Sequence, residues 1–372
     1  MPGPPVEAPE TRTLRKSQRL WARLMRWSAR VELLFDRAVW GFRVRFGRLG
    51  PLQIVPYRGY GTRQQAMLRG RVLEASVLER SLPTDTRWRS IRRMLRRFNS
   101  REVPDASVSA QWGSSAFSAQ TDDEGYFELQ VSSDELAGPG TWKLGYVEVT
   151  GARVRGAQPV RSPAEVLVPG PQVELCVVSD IDDTVLQTHV TQRLKMIWVT
   201  LSRSAYTRMP FEGTSELYRA LSGGTSGHAD NPVFYVSKSP WNLYDFLVDF
   251  LDYHELPRGP LLLRDIGLHE APPLDHKTKA VRGLLAMYAG LPFVLIGDSG
   301  ERDADIYVAA AERHPGRVRA IYIRDLGGRT LGGKSPHAAE LRQRAQAAGT
   351  ALLWVEHAQL ALEHARAQGW VR

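Results

Sequence analysis

The sequence predicts an α/β protein in three parts: a basic amphipathic helix, a small β-sandwich-like domain, and a C-terminal parallel sheet covered by helices. Three observations predict this arrangement. After Pro169-Gly170-Pro171, short apolar runs alternate with helical stretches, the pattern of a parallel sheet buried on both faces. Before that boundary, residues 51–170 carry brief alternating runs divided by Gly, Pro, Asp and Ser, as small antiparallel sandwiches do. Charge is also unevenly placed. The first 100 residues hold 22 Lys and Arg against 7 Asp and Glu, and the remainder hold 27 against 33.

Composition excludes several classes. With 43% apolar residues among 372, the chain can pack a core and is not wholly disordered. A single cysteine, Cys176, rules out an intramolecular disulfide framework and a Cys-rich zinc site, and suits a reducing compartment. It falls inside an apolar strand, where packing explains it better than chemistry. No uncharged apolar run approaches the roughly 18 residues of a spanning helix. The opening MPGPPVEAPE has no charged-then-apolar leader. A cytoplasmic protein, peripheral on the inner face of a membrane, is the expectation.

Residues 1–11 are Pro-rich and expected to form a disordered tail. Residues 12–50 read as a helix. Leu20, Leu24, Trp27, Val31, Leu34, Ala38 and Phe42 recur at spacings of three and four and share one stripe. Arg19, Arg23, Arg26, Arg30 and Arg37 keep the same rhythm one residue earlier, about 100° round the helix. Such a stripe suits docking on a core, or lying in an anionic membrane interface, where Trp21, Trp27 and Trp40 would also sit well. Neither an aromatic RNA-binding strand motif nor a helix-turn-helix is evident, so no nucleic-acid partner is expected.

Within the β-rich part, Met67–Leu73, Ser107–Trp112, Tyr126–Val131, Trp142–Val149 and Glu165–Val168 read as strands. The run Thr121–Phe127 resembles the tight turn and following strand of transthyretin-like sandwiches. Arg87, Arg89, Arg92, Arg93, Arg96, Arg97 and Arg101 form a second basic cluster, either a solvated insertion or a phosphate- or headgroup-binding patch. In the C-terminal part the strands are Val173–Ser179, Val233–Val236, Leu261–Leu263, Phe293–Ile296, Ala320–Ile323 and Ala351–Val355.

Residues at the carboxyl ends of those strands carry the chemistry. The first strand ends in Ser179-Asp180-Ile181-Asp182-Asp183-Thr184. Three carboxylates at the end of a buried strand are costly without a positive partner, and an oxygen-preferring divalent cation supplies one. The second strand ends in Ser237-Lys238-Ser239-Pro240, and the fourth in Gly297-Asp298-Ser299-Gly300-Glu301-Arg302-Asp303. Between them His276-Lys277-Thr278-Lys279 opens a helix. In an open α/β sheet these strand ends converge on one crevice. His254, His269 and His276 are scattered singly and read as surface or satisfied histidines.

Asp-x-Asp-x-Thr after a strand, a strand-ending Ser, a Lys and Gly-Asp-Ser-Gly-x-x-Asp together resemble the haloacid dehalogenase (HAD) phosphohydrolase superfamily. More specific strings are Tyr235–Trp241, Gly259–Asp265, Gly297–Gly300 and Ile321–Asp325. They are similar to the phosphatidate phosphatases of the actin-patch-protein type. The resemblance spans roughly residues 170–372 and implies a HAD-like Rossmannoid domain over 171–372. It implies Asp180 as nucleophile forming an aspartyl-phosphate and Asp182 as general acid and base. Thr184 and Ser237 would bind phosphoryl oxygens, and Lys277 would neutralise their charge. Mg²⁺ would be held by Asp180, the Asp182 carbonyl, Asp298 and Asp303. Lys279 is an alternative to Lys277. Lys238 stands where a small polar residue is expected, and either touches a headgroup or faces solvent.

About 40 residues separate Ser237 from Lys277, which leaves no room for a large cap; Val185–Asn231 is the only candidate lid. An open site suits a bulky or membrane-borne phosphate ester. The implied activity is Mg²⁺-dependent hydrolysis of phosphatidate to diacylglycerol and phosphate. The alternatives are a soluble or protein-linked phosphate ester, or an inactive module that binds lipid or a partner.

Overall fold

The computed structural model describes residues 51–74, 101–138, 140–151, 160–181, 213–264, 274–299, 301–325 and 333–372. The expected tail and basic helix, the cluster Arg87–Arg97, and Asp182, Asp183 and Thr184 lie outside the described residues. No helix among the described residues is long and apolar enough to cross a membrane.

Two sheets make up the α/β protein. The N-terminal one has nine strands: β1 (Leu52–Pro56), β2 (Gly59–Gly61), β3 (Gln65–Glu74), β4 (Arg101–Glu102), β5 (Ser107–Trp112), β6 (Ser115–Gln120), β7 (Tyr126–Ser132), β8 (Trp142–Gly151) and β9 (Val160–Leu167). Alternate residues of β5, β7 and β9 point inward, among them Val108, Ala110, Trp112, Phe127, Leu129, Val131, Ala164 and Val166, as a half-buried sheet requires. The sequence suggests a small antiparallel sandwich. The nine strands form one hydrogen-bonded sheet that is mixed, not purely antiparallel, because β2 pairs parallel with β9. The ten-residue β3 makes this possible by pairing with β1 and β2 along one edge and β4 and β7 along the other. The sheet curls until β6 lies beside β7.

The C-terminal sheet has six parallel strands in the order β12-β11-β10-β13-β14-β15. They are β10 (Cys176–Asp180), β11 (Val233–Pro240), β12 (Leu261–Arg264), β13 (Phe293–Asp298), β14 (Val318–Arg324) and β15 (Ala351–Val355). Among the described residues six helices cover it: α1 (Thr214–Gly223), α2 (Tyr244–Tyr253), α3 (Leu274–Met287), α4 (Asp303–Arg313), α5 (Pro336–Ala347) and α6 (Ala358–Ala367). Residues of the central strand β10 alternate between two cores. Val177 packs with Leu217, Leu247 and Leu362 from α1, α2 and α6. Cys176 and Val178 pack with Leu284, Val308 and Leu341 from α3, α4 and α5. Both faces are therefore buried, which is why these strands read as continuous apolar runs. The chain reverses direction across the sheet between β10 and β13, and such a switch point opens a crevice at the carboxyl ends of the strands. Helix α1 belongs to the core layer through Leu217, Tyr218 and Leu221, so that part of the expected lid is structural.

The turn between β1 and β2 locks the two sheets together. Tyr57 stacks on Trp241 with centroids 4.8 Å apart and lies 4.2 Å from the Tyr244 ring. Tyr60 meets Phe234 edge-on, and the Tyr288 hydroxyl donates to the Gly61 carbonyl (3.1 Å). Beside them, Arg71 Nη1 and the Tyr126 hydroxyl both donate to Asn242 Oδ1, at 2.8 and 2.7 Å. Truncating a buried aromatic costs about 3–5 kcal/mol. Tyr57→Ala is expected to cost that much in thermal or urea unfolding, and to split one transition into two as the sheets uncouple.

Candidate active site

The site assembles at the switch point. Strand β10 ends in Asp180, whose partner on β11 is Val236, one residue before Ser237. Pairing of β11 with β12 shifts register between Val236 and Pro240, and this bulge turns Ser237 and Lys238 out of the ladder. The Ser239 N–H donates to Ser237 Oγ (2.9 Å) and fixes the bulge. On the other side β13 ends in Asp298, and the chain turns into α4, which begins at Asp303. Lys277 comes from the first turn of α3.

These side chains meet around one ammonium. Lys277 Nζ lies 2.8 Å from Asp180 Oδ1, 2.6 Å from Asp303 Oδ1 and 2.7 Å from Glu301 Oε2. Asp303 also accepts from the Asp298 N–H (3.3 Å), and Asp298 Oδ1 accepts from the Glu301 N–H (3.2 Å). Lys277 is 1% exposed. Burial alone would lower its pKa, but Asp180, Asp303 and Glu301 raise it well above the ordinary lysine value, so the ammonium stays charged. Burial lifts the Asp303 carboxyl although Lys277 opposes this. Burial pushes Glu301 the same way, but Lys277 and then Lys238 hold it below the usual carboxylate range.

Packing beneath the acids is tight. A Cβ on Gly297 would fall 2.5 Å from Asp303 Oδ2 and 2.9 Å from the Tyr307 ring, so only glycine lets β13 approach α4 here. Under β10 the Ser179 hydroxyl contacts the Tyr218 hydroxyl and donates to the Asp180 carbonyl (2.9 Å). Burial pushes the Tyr218 phenol up to about 12, so it remains a neutral support.

Carboxylate oxygens of Asp180, Asp298 and Asp303 all lie within 4.8 Å of one another. Opposite ligands of an octahedral Mg²⁺ are about 4.2 Å apart, so small side-chain movements would bring these hard oxygen donors around such an ion. The charge balance also fits: Asp180, Asp298, Asp303 and Glu301 outnumber Lys277 and Lys238 by two.

Of the residues expected from sequence, Asp180, Asp298, Asp303 and Lys277 come together here, with Ser237 fully buried at the neighbouring strand end. Asp182 and Thr184 lie outside the described residues. Lys279 is exposed, whereas Lys277 is enclosed by the acids. Lys238 neither faces solvent alone nor lacks an acid: its Nζ is 2.7 Å from Glu301 Oε2. Sequence reasoning gives Glu301 no role. Its only local signal is an acid at one of the two variable positions of Gly-Asp-Ser-Gly-x-x-Asp.

Residues 175–325 match the family described as phosphatidate phosphatase APP1, catalytic domain. An uncharacterized protein of Schizosaccharomyces pombe is 29% identical over 157 residues, which is 41% of this chain and 25% of that protein. Phosphatidate phosphatase APP1 of Saccharomyces cerevisiae is 28% identical over 152 residues, 40% of this chain and 25% of that one. The matched region thus spans about a quarter of the length of these curated relatives. Among solved structures, a carbohydrate acetylesterase from Xanthomonas citri aligns over 78% of this chain and 72% of its own at 9% identity, with a TM-score of 0.24.

Gly297→Ala is expected to lower stability by about 1–3 kcal/mol through overpacking and to displace Asp303 from Lys277. Gly283, inside α3, has nothing within 4 Å of the position a Cβ would take. Gly283→Ala should therefore stabilise by about 0.5–1 kcal/mol. Paired thermal melts of the two variants check both signs.

Proposed function

We propose, from the match of residues 175–325 to the APP1 catalytic-domain family, that this chain is a phosphatidate phosphatase with a HAD-like fold. It would hydrolyse phosphatidate to diacylglycerol and phosphate. The observation that carries the reading is the convergence of Asp180, Asp298, Asp303 and Lys277 at the switch point of a parallel sheet. Phosphoryl transfer needs a nucleophile, charge neutralisation and little else, and this group of residues supplies both.

In this mechanism an Asp180 carboxylate oxygen attacks phosphorus, and the bond to the glyceryl oxygen breaks. Asp182 gives its proton to that departing oxygen, then takes one from the water that cleaves the aspartyl-phosphate. Lys277 offsets charge on the phosphoryl oxygens, and Ser237 and Thr184 donate hydrogen bonds to them. Asp303 orients Lys277, since it is fully buried and 2.6 Å from Nζ. Asp180 and Asp298 would hold Mg²⁺ with the Asp182 carbonyl, Asp303 completing or orienting the set. That ion, when bound, adds further charge neutralisation at the transferring group.

Phosphate release from phosphatidate vesicles, with and without Mg²⁺, tests the reading. Chelation should abolish release, and Asp180→Asn should lower it by more than about 10³-fold. Asp182→Asn should cost about 10²–10⁴-fold. Activity in Asp180→Asn equal to the native chain sinks the mechanism, and faster turnover of a soluble ester than of vesicles sinks the lipid substrate.

The basic front supports a second part of the proposal, that residues 12–50 hold the enzyme on an anionic bilayer. Each Lys or Arg near such a surface contributes about 1 kcal/mol. Removing residues 12–48 should release the protein from anionic vesicles in a sedimentation assay. Unchanged binding at both low and high salt would assign the segment a structural role.

A further inference from the structure

The three anionic neighbours of Lys277 are not equivalent. The Asp180 and Asp303 side chains are 2% and 0% exposed, whereas Glu301 is 18% exposed. Asp180 ends a strand and Asp303 starts a helix; Glu301 lies in the turn between β13 and α4. Its Oε2 is 2.7 Å from Lys277 Nζ and also 2.7 Å from Lys238 Nζ. Lys238 comes from the β11 bulge beside Ser237. One carboxylate oxygen therefore bridges two ammoniums on the more open side of the site.

Two converging ammoniums are what an oxygen of a phosphate monoester dianion would seek. We infer that Glu301 is an internal stand-in for the phosphoryl group. It holds Lys277 and Lys238 together and gives up at least one of them when a phosphate monoester or inorganic phosphate binds. The inference rests on the phosphatase reading of this site and adds a positioning residue that sets anion affinity. The physical argument is competition. Asp180 and Asp303 keep their contacts with the enclosed Lys277, so Glu301 is the anion whose displacement costs least. Its charge also repels a dianion arriving at the same ammoniums. Glu301 thus orders the two lysines and weakens both substrate and product binding, which favours release of phosphate.

Calorimetric titration of the full chain with inorganic phosphate, in Mg²⁺-containing buffer, tests this. Glu301→Gln keeps the size and removes the charge, and should bind phosphate about three- to tenfold more tightly. Glu301→Ser should act in the same direction and guards against a folding fault peculiar to one variant. Glu301→Asp retains the charge and should stay near the native affinity, and Lys238→Met should bind phosphate more weakly. In turnover, Glu301→Gln should lower KM and strengthen inhibition by phosphate, a change that a merely structural role would not produce. Equal or weaker phosphate binding by both Glu301→Gln and Glu301→Ser overturns the inference, as does unchanged affinity in Lys238→Met. If the affinity pattern holds but no phosphate ester is hydrolysed, the catalytic reading falls and this one stands. If hydrolysis is robust and affinity does not tighten, this one falls alone.

Discussion

The ion cluster around Lys277 is the constraint on which the rest of the molecule depends. Moving an ion of carboxylate or ammonium size into a protein interior costs several kcal/mol even after relaxation. Asp303 is completely buried and Asp180 nearly so. Such groups persist only where a counter-charge is fixed in place by the fold. Lys277 reaches them because α3 begins at the strand ends and packs Val281, Leu284 and Leu285 into the core. Asp303 reaches them because Gly297 lets α4 close onto β13. The sheet order then sets Asp180 and Asp298 on adjacent strands on either side of the switch point.

The same strand that supplies the second ammonium also ties the site to the nine-stranded sheet. Within six residues β11 and its turn provide Ser237 and Lys238 to the crevice, then Trp241 and Asn242 to the junction. Trp241 stacks on Tyr57, and Asn242 accepts from Arg71 and Tyr126. Displacement at the junction therefore has a short covalent path to Ser237 and Lys238. The β-rich part acts here as a support for one wall of the site, through buried aromatics together with the Arg258–Glu165 and Arg58–Asp252 ion pairs.

Sequence makes the C-terminal sheet legible because both faces are buried and each apolar run ends abruptly in polar residues. Errors arise where local pattern and pairing diverge. The run at Val173 reads as the start of β10, but the Glu174 and Leu175 N–H groups bond to the Asn231 side chain, not to a neighbouring strand. Strand β11 continues four residues beyond Val236, through polar positions that line the site. Strand β6, Ser115–Gln120, has no fully buried position and therefore no apolar rhythm to read. Its pairing with β5 alone defines it. Glu301 and Tyr57 illustrate the larger limit. Their partners are remote in sequence, so neither the bridge between two lysines nor the aromatic lock has a local signature.

Charge in this protein works at two scales with opposite sign. The first 100 residues carry the excess of arginine, whereas the part holding the site is net acidic. Among the described residues at the site four carboxylates face two ammoniums, so an incoming phosphate dianion would meet net negative charge. On the proposed reading a divalent cation offsets that excess, and displacement of Glu301 from a lysine frees a further contact for the anion. On the same reading, long-range attraction to an anionic surface would belong to the basic front, since exposed charges lose most of their reach beyond about 8 Å at physiological salt. A crevice basic enough to draw in phosphate unaided would hold product as firmly as substrate. On the proposed reading, dividing the work between a basic front and an acidic, cation-dependent crevice would keep surface attraction separate from product release.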